Sequence, residues 1–104
     1  MMNREIEAHY AQYLFLQRSA EWTDKKQDKY AKSQRLRATT SLTKYVNQQG
    51  HVTTSFLDIF ETYISNNVVN AFRQEGYDNY PFKEYLDITN IFPNIKLTTK
   101  NCDE

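Results

Sequence analysis

The chain has little cysteine, glycine and proline and no long hydrophobic run, and each shortage excludes a class of protein. Cys102 is the only cysteine among 104 residues, so no disulfide can form within the chain. The longest apolar or aromatic run, residues 13–16, is far shorter than a membrane span. Acidic residues near the start, with no apolar stretch after them, argue against a secretory signal peptide. We therefore expect a cytoplasmic protein that does not associate with membranes.

Aromatic residues, by contrast, are plentiful, with eight tyrosines, six phenylalanines and one tryptophan. Because aromatic side chains each bury a large area, a chain of this length can form a modest core without a metal or a disulfide. We predict one helical domain over residues 1–99 and a flexible tail at residues 100–104. The scarcity of glycine and the abundance of asparagine, lysine, tyrosine and isoleucine are typical of an AT-rich genome and suggest a phage or mobile-element protein.

The first predicted helix covers residues 3–20. Asn3 is a candidate N-cap, and Glu5 and Glu7 in the first turn favour the positive end of the helix dipole. Apolar residues recur on one side at helical spacing, which predicts a buried face. That face comprises Met2, Ile6, Tyr10, Tyr13, Leu14, Leu16 and Ala20.

A second helix is predicted over residues 24–49, after a start signal at Thr23 or Asp24 and before Gly50, which is a suitable residue to end it. The sequence does not decide whether this helix is separate from the first or continuous with it through a bend. Its apolar stripe is narrow, and lysines and arginines spread over the opposite face. The stripe comprises Ala31, Ala38, Leu42, Tyr45 and Val46.

A third helix carries the broadest apolar face and is expected to organise the core. It is predicted from Ser55, its candidate cap, to Gly76, which ends it. Asn66 and Asn67 predict a kink within it, because asparagine is a poor residue for a helix interior. Its apolar face comprises Phe56, Leu57, Phe60, Tyr63, Ile64, Val68, Ala71 and Phe72.

A short fourth helix is predicted at the C-terminal side. Pro81 suits its first position, Pro93 ends it, and residues 95–99 would form a short strand or an extended arm. The sequence thus predicts an all-α fold, an irregular bundle of three main helices plus a short C-terminal helix. The apolar residues of the fourth helix are Phe82, Tyr85, Leu86, Ile88 and Ile91.

No residue pattern typical of a catalytic, metal or cofactor site is present. His9 and His51 are far apart and lack a metal-ligand spacing, and the two glycines form no phosphate-binding loop. Two pairs of carboxylates lie in or near predicted first helical turns, where the helix dipole favours acids without any catalytic role. We therefore predict no catalytic, cofactor-binding or metal-binding residues, no cofactor and no enzymatic activity.

The basic face of the second helix is one candidate binding site. Charge is balanced overall, but lysine and arginine are in excess before His51 and acids after it. A row of cations can contact a phosphate backbone without sequence specificity, whereas the zero net charge favours an ordinary solvated face. A helix-turn-helix is disfavoured, because the helix after Gly50 presents acidic and apolar residues. The candidate nucleic-acid-binding residues are Lys25, Lys26, Lys29, Lys32, Arg35, Arg37 and Lys44.

Aromatic residues around the predicted fourth helix form the other candidate site. Tyrosine-rich surfaces are favoured at protein interfaces, although the same rings would also serve to close one end of the core. The leading hypothesis is a non-enzymatic protein-interaction or regulatory module, such as a phage-encoded modulator of a host protein, with homodimerisation as an option. Nucleic-acid association is the alternative. The candidate partner-binding residues are Tyr77, Tyr80, Phe82, Tyr85 and Phe92.

Overall fold

The computed structural model describes residues 1–95. These residues fold into an irregular bundle of short helices, and the predicted all-α class is confirmed. The first half contains α1 (Met2–Arg18), α2 (Asp24–Lys32), α3 (Gln34–Ser41) and a 3-10 turn at Leu42–Lys44. The second half contains a 3-10 turn at Thr54–Phe56, α4 (Leu57–Ile59), a π-helical segment at Phe60–Ile64, α5 (Ser65–Phe72) and a π-helical segment at Arg73–Tyr77. Residues 78–94 are the C-terminal loop.

Helix α1 forms where the first helix is predicted, but its two ends differ from the prediction. It begins at Met2, and Asn3 is not its cap, because the Asn3 side chain bonds to the backbone of Lys83 in the C-terminal loop. Residues 19–23 separate α1 from α2, so the first two helices are distinct, and Ala20 lies exposed outside α1. The buried residues of α1 are Met2, Ile6, Tyr10, Ala11, Tyr13, Leu14 and Leu16.

The second predicted helix is too long, because Ser33 interrupts it and its last helical turn ends at Lys44 instead of before Gly50. Ser33 has an extended backbone, and its hydroxyl accepts a hydrogen bond from the Leu36 amide at 3.1 Å, which caps the start of α3. The Thr23 side chain caps α2 in the same way, as predicted. The break also changes which residues are buried: Tyr30 is buried and Ala31, a member of the predicted stripe, is exposed.

The helical path from Leu57 to Tyr77 corresponds to the third predicted helix. Ser55 lies in the preceding 3-10 turn instead of capping the helix. The kink predicted at Asn66 and Asn67 is wrong, because α5 continues through both residues. The π-helical segment at Phe60–Ile64 precedes them. Gly76 has a φ of +103° and breaks the helical path, as predicted. The buried residues of this path are Phe60, Val68, Val69 and Phe72.

The predicted fourth helix is wrong, because the chain after Pro81 forms the irregular C-terminal loop. Backbone groups that a helix would pair internally bond instead to distant parts of the chain. The Pro81 carbonyl accepts from the Met2 amide at 2.9 Å, and the Thr89 carbonyl accepts from the Val52 amide at 2.7 Å. Local periodicity carries no information about such long-range bonds, which explains the failed prediction.

Two groups of buried side chains hold the bundle together. The smaller group packs α1 against α2 and α3 and comprises Tyr13, Leu16, Tyr30 and Leu36, with Trp22 against it. The larger group joins α1, the helical path and the C-terminal loop, and comprises Met2, Ile6, Tyr10, Ala11, Leu14, Leu42, Val46, Val52, Phe60, Val68, Val69, Phe72, Ile91, Phe92 and Ile95. None of the helices within residues 1–95 combines the length and the apolar character that a membrane span requires. The predicted arm at 95–99, apart from Ile95, and the predicted tail at 100–104 lie outside the described residues.

Candidate functional site

The aromatic residues predicted to bind a partner occupy two environments, of which the first is the core. Phe92 is fully buried, and its ring centroid lies 5.4 Å from that of Tyr10. Tyr77 is half-buried and packs edge-on against Phe72, with the ring centroids 5.5 Å apart. Phe92 is therefore a core residue, which corrects its predicted place on a binding surface. Tyr77 serves mainly to cover the end of the helical path.

Of the remaining three aromatic residues, Phe82 and Tyr85 also pack against the core, and Tyr80 lies at the surface. Tyr80 is exposed, and Phe82 and Tyr85 are half-buried, with their ring centroids 5.6 Å apart in an edge-on arrangement. Burial raises the pKa of the Tyr85 hydroxyl, and the negative charge of Glu7 adds to the effect. Tyr85 lines two cavities, so this part of the predicted surface does border space that a partner can fill.

The larger of these cavities, which we call the Leu86 cleft, lies between the start of α1 and the C-terminal loop. Its volume is about 330 Å³. Leu86, which lines it, is 94% exposed, and Met1 is 48% exposed. The sequence pattern predicts Leu86 on the apolar side of a helix, so the neighbouring residues did not predict that its side chain is exposed. The apolar residues of the lining are Met1, Tyr85, Leu86, Ile91 and Pro93.

Two side chains of α1 attach the C-terminal loop beside the Leu86 cleft. The Asn3 amide donates to the Lys83 carbonyl at 2.7 Å, and the Lys83 amide donates to the Asn3 side-chain oxygen at 3.0 Å. The Glu7 carboxylate accepts from the backbone amide of Asn94 at 3.0 Å and from its side chain at 3.3 Å. The loop is therefore fixed to α1 on both sides of Leu86.

The turn that follows Leu86 is fixed by its own hydrogen bonds. The Thr89 hydroxyl and amide donate to the Asp87 carboxylate at 2.6 Å and 3.0 Å, and the Asn90 amide donates to the Asp87 carbonyl at 3.2 Å. The bond from the Thr89 hydroxyl is the main cause that lowers the pKa of Asp87. Since Leu86 directly precedes this turn, a fixed backbone presents its side chain to solvent.

A separate cavity, which we call the basic cleft, lies between α1 and the pair α2–α3. Its volume is about 350 Å³, and Lys26, Lys29 and Arg35 line it. Lys32 forms an ion pair with Asp28 at 2.9 Å. The predicted basic face is thus divided into three residues that line the cleft and four that lie on the open surface. The four on the open surface are Lys25, Lys32, Arg37 and Lys44.

Arg35 is less available than a surface cation, because it belongs to a polar network. Its Nε lies 3.4 Å from a Glu75 carboxylate oxygen, and both side chains are about a quarter exposed (23% and 26%). The Ser33 hydroxyl donates to Glu75 at 2.5 Å, and this bond is the main cause that lowers the pKa of Glu75. The Arg35 guanidinium also lies 5.6 Å from the centroid of the Tyr77 ring. Glu75 therefore offsets much of the charge predicted for nucleic-acid contact at this position.

His9 completes the network from the α1 side. One guanidinium nitrogen of Arg35 donates to His9 Nε2, so the ring proton lies on Nδ1, which donates to the Glu5 carbonyl at 2.7 Å. Burial is the largest cause of a lowered His9 pKa, and the positive charge of Arg35 acts in the same direction. The bond to Glu5 opposes both. The imidazole is thereby held neutral between two helices.

The two clefts offer different binding chemistry. The Leu86 cleft offers apolar contact with charges at its edge, and the basic cleft offers positive charge above a partly apolar wall. Within residues 1–95, no group of three or more His, Cys, Asp or Glu side chains is placed to hold a metal ion. No protein-family model, curated protein or solved structure matches this chain.

Proposed function

We propose that this chain is a non-enzymatic protein-interaction module whose binding surface is the Leu86 cleft. The observation that supports the proposal is a leucine side chain, 94% exposed, on a loop that hydrogen bonds fix to α1. A single exposed apolar side chain is common on protein surfaces. An exposed leucine that is held in place beside a cavity, with an exposed methionine next to the same cavity, is typical of a contact surface.

The energetics of this surface favour a compact binding anchor. Full burial of Leu86 against a partner would contribute roughly 1.5–3 kcal/mol. Because the loop is already ordered, little conformational entropy is lost on binding. The charges that line the cleft would form a polar rim that orients the partner. These charged residues are Arg4, Glu7, Lys83, Glu84 and Asp87.

A second copy of the chain is one partner that fits the Leu86 cleft. The projecting Leu86 and the cavity lie on one surface, so a two-fold arrangement would place each leucine in the other copy's cavity. Such isologous contacts are the commonest in homo-oligomers. A different protein with an apolar pocket and charges of both signs around it would fit the same surface. If the chain regulates a host protein, it would bind that protein in this way.

The substitution Leu86→Asp tests the proposal. Tyr63→Asp is the matched control, because Tyr63 is 63% exposed and lines neither cleft. Sedimentation measures self-association, and capture on tagged protein after nuclease and high salt measures binding of another protein. We expect wild type and Tyr63→Asp to associate alike and Leu86→Asp to bind roughly tenfold more weakly or worse. The proposal would be contradicted if all three proteins associated equally, or if the wild type showed no association.

Association with nucleic acid is the second candidate, and unpaired lysines on α2 favour it. Lys25, Lys26 and Lys29 are exposed, and none of them forms an ion pair within the described part of the chain. Contacts of this kind weaken steeply with salt. In the capture experiment, a partner that nuclease or high salt removes and that Leu86→Asp retains would favour this candidate over the first.

A further inference from the structure

We infer that the basic cleft binds a small organic phosphate, a phosphate ester whose organic body is partly apolar, such as a nucleoside monophosphate. The inference is independent of the Leu86 cleft, because the two clefts share no lining residue. A volume of about 350 Å³ is well above what a bare phosphate ion needs and lies within the usual size of small-molecule sites. The size therefore indicates a ligand with a body as well as an anionic group.

Two exposed lysines of the lining supply positive charge that is available to a ligand. Lys26 and Lys29 are three residues apart on α2, so they project from the same side of that helix. Both line the cleft, both are exposed, and neither has an ion-pair partner among residues 1–95. Lys32, one turn further along, already has Asp28 as its partner. Two free ammonium groups on one wall are suited to the oxygens of a single phosphate.

The walls formed by α1 and α3 carry the other charged residues of the lining and its one histidine. Glu5 and His9 contribute from α1, and Arg35 contributes from α3. Glu5 is the one carboxylate of the lining, against three cationic side chains. Arg35 is held by Glu75, which does not line the cleft, and by His9. Because Glu75 offsets much of the Arg35 charge, the positive balance of the cleft rests on Lys26 and Lys29 against Glu5. Arg35 is already oriented before a ligand enters.

The remaining wall is apolar and suits the body of the ligand. Leu16, Tyr30 and Leu36 line the cleft and are otherwise buried, so a ligand would contact a packed surface. Ala8 adds a further small apolar contact from α1, and the Gln12 side chain supplies an amide that can both donate and accept. The apolar wall, the single amide and the paired lysines together match a phosphate ester whose organic body is partly apolar.

Calorimetric titration with adenosine monophosphate tests the inference, with adenosine and inorganic phosphate as separate ligands. The test variant is Lys26→Gln with Lys29→Gln. The control is Lys25→Gln with Lys32→Gln, which removes the same charge from the same helix at exposed positions outside the cleft. We expect the nucleotide to bind wild type more tightly than either of its parts. The test pair should weaken its binding about tenfold or more, and the control pair less than about threefold.

Three results would overturn the inference. The first is an absence of nucleotide binding to wild type at millimolar concentration. The second is an equal loss of binding in both variants, which would show that only the general charge of α2 matters. The third is a single-stranded oligonucleotide that binds more tightly than the monophosphate and is weakened alike by both variants, which would assign the lysines to nucleic acid. Circular dichroism of both variants confirms that the comparison is made between folded proteins.

Discussion

At the scale of single residues, Gly50 connects the middle of the chain, residues 45–53, to the C-terminal loop. Its φ is +82°, and its carbonyl accepts from the amides of Ile91 and Phe92 at 3.0 Å and 3.2 Å. A Cβ at this position would collide with the Phe92 carbonyl oxygen and lie 2.9 Å from Ile95 Cγ2. Both the backbone conformation and the packing therefore require glycine here.

Gly50→Ala should lower the free energy of unfolding by about 2–4 kcal/mol, because left-handed backbone strain and a steric clash act together. Gly76→Ala is the matched control. Gly76 also has a positive φ, but a Cβ there would meet nothing within 4 Å, so we expect a loss of about 1 kcal/mol. Urea unfolding of the two variants measures the difference. Similar losses would contradict the close packing of Phe92 on Gly50.

Residue patterns predicted the buried side of α1 and most of the core of the helical path, because both follow helical spacing. The same patterns did not predict the burial of Leu86 and Phe92. In the sequence both are apolar residues in or next to the predicted fourth helix. One is 94% exposed and the other is fully buried. Contacts with α1 and with Gly50 decide between these outcomes, and those contacts are remote in sequence.

At the scale of elements, the network of His9, Arg35 and Glu75 joins α1, α3 and the end of the helical path. Ser33 belongs to the same network, since its hydroxyl caps α3 and also donates to Glu75. Serine is a typical N-cap residue, so the break after α2 had a signal that the charged pattern of residues 24–49 obscured. Nothing in the sequence indicated that Ser33 would bond to Glu75, which is 42 residues away.

The pH dependence of stability tests this network. The His9 pKa is lower in the folded chain than its ordinary value of 6.5, so the unfolded chain takes up the proton first as pH falls. The full contribution of neutral His9 to the free energy of unfolding is present above pH 6.5. This contribution is lost as the pH falls through the lower pKa that His9 has in the folded chain. We expect the free energy of unfolding to decline from pH 7 to pH 5. His9→Gln should show a smaller decline, and parallel pH profiles for the two proteins would refute the role assigned to His9.

At the scale of the whole molecule, the C-terminal loop is part of the core and not an appendage. It attaches to α1 through Asn3 and Glu7, and to the middle of the chain through Val52 and Gly50. The all-α class and the position of α1 could be predicted from composition and periodicity. The docking of the loop could not, because it depends on hydrogen bonds between residues as many as 87 positions apart. The proposed binding surface exists only through that docking.

Native-state hydrogen exchange measures this docking most directly. The amides of Val52 and Ile91 donate to carbonyls at the junction of the loop with the middle of the chain, and Leu14 lies within α1. We expect the opening free energies of the Val52 and Ile91 amides to lie within about 1 kcal/mol of that of Leu14, because all three would exchange only when the core opens. Rapid exchange at Val52 and Ile91 while Leu14 stays protected would show that the loop detaches on its own, and Leu86 would then lack the fixed support on which its proposed role depends.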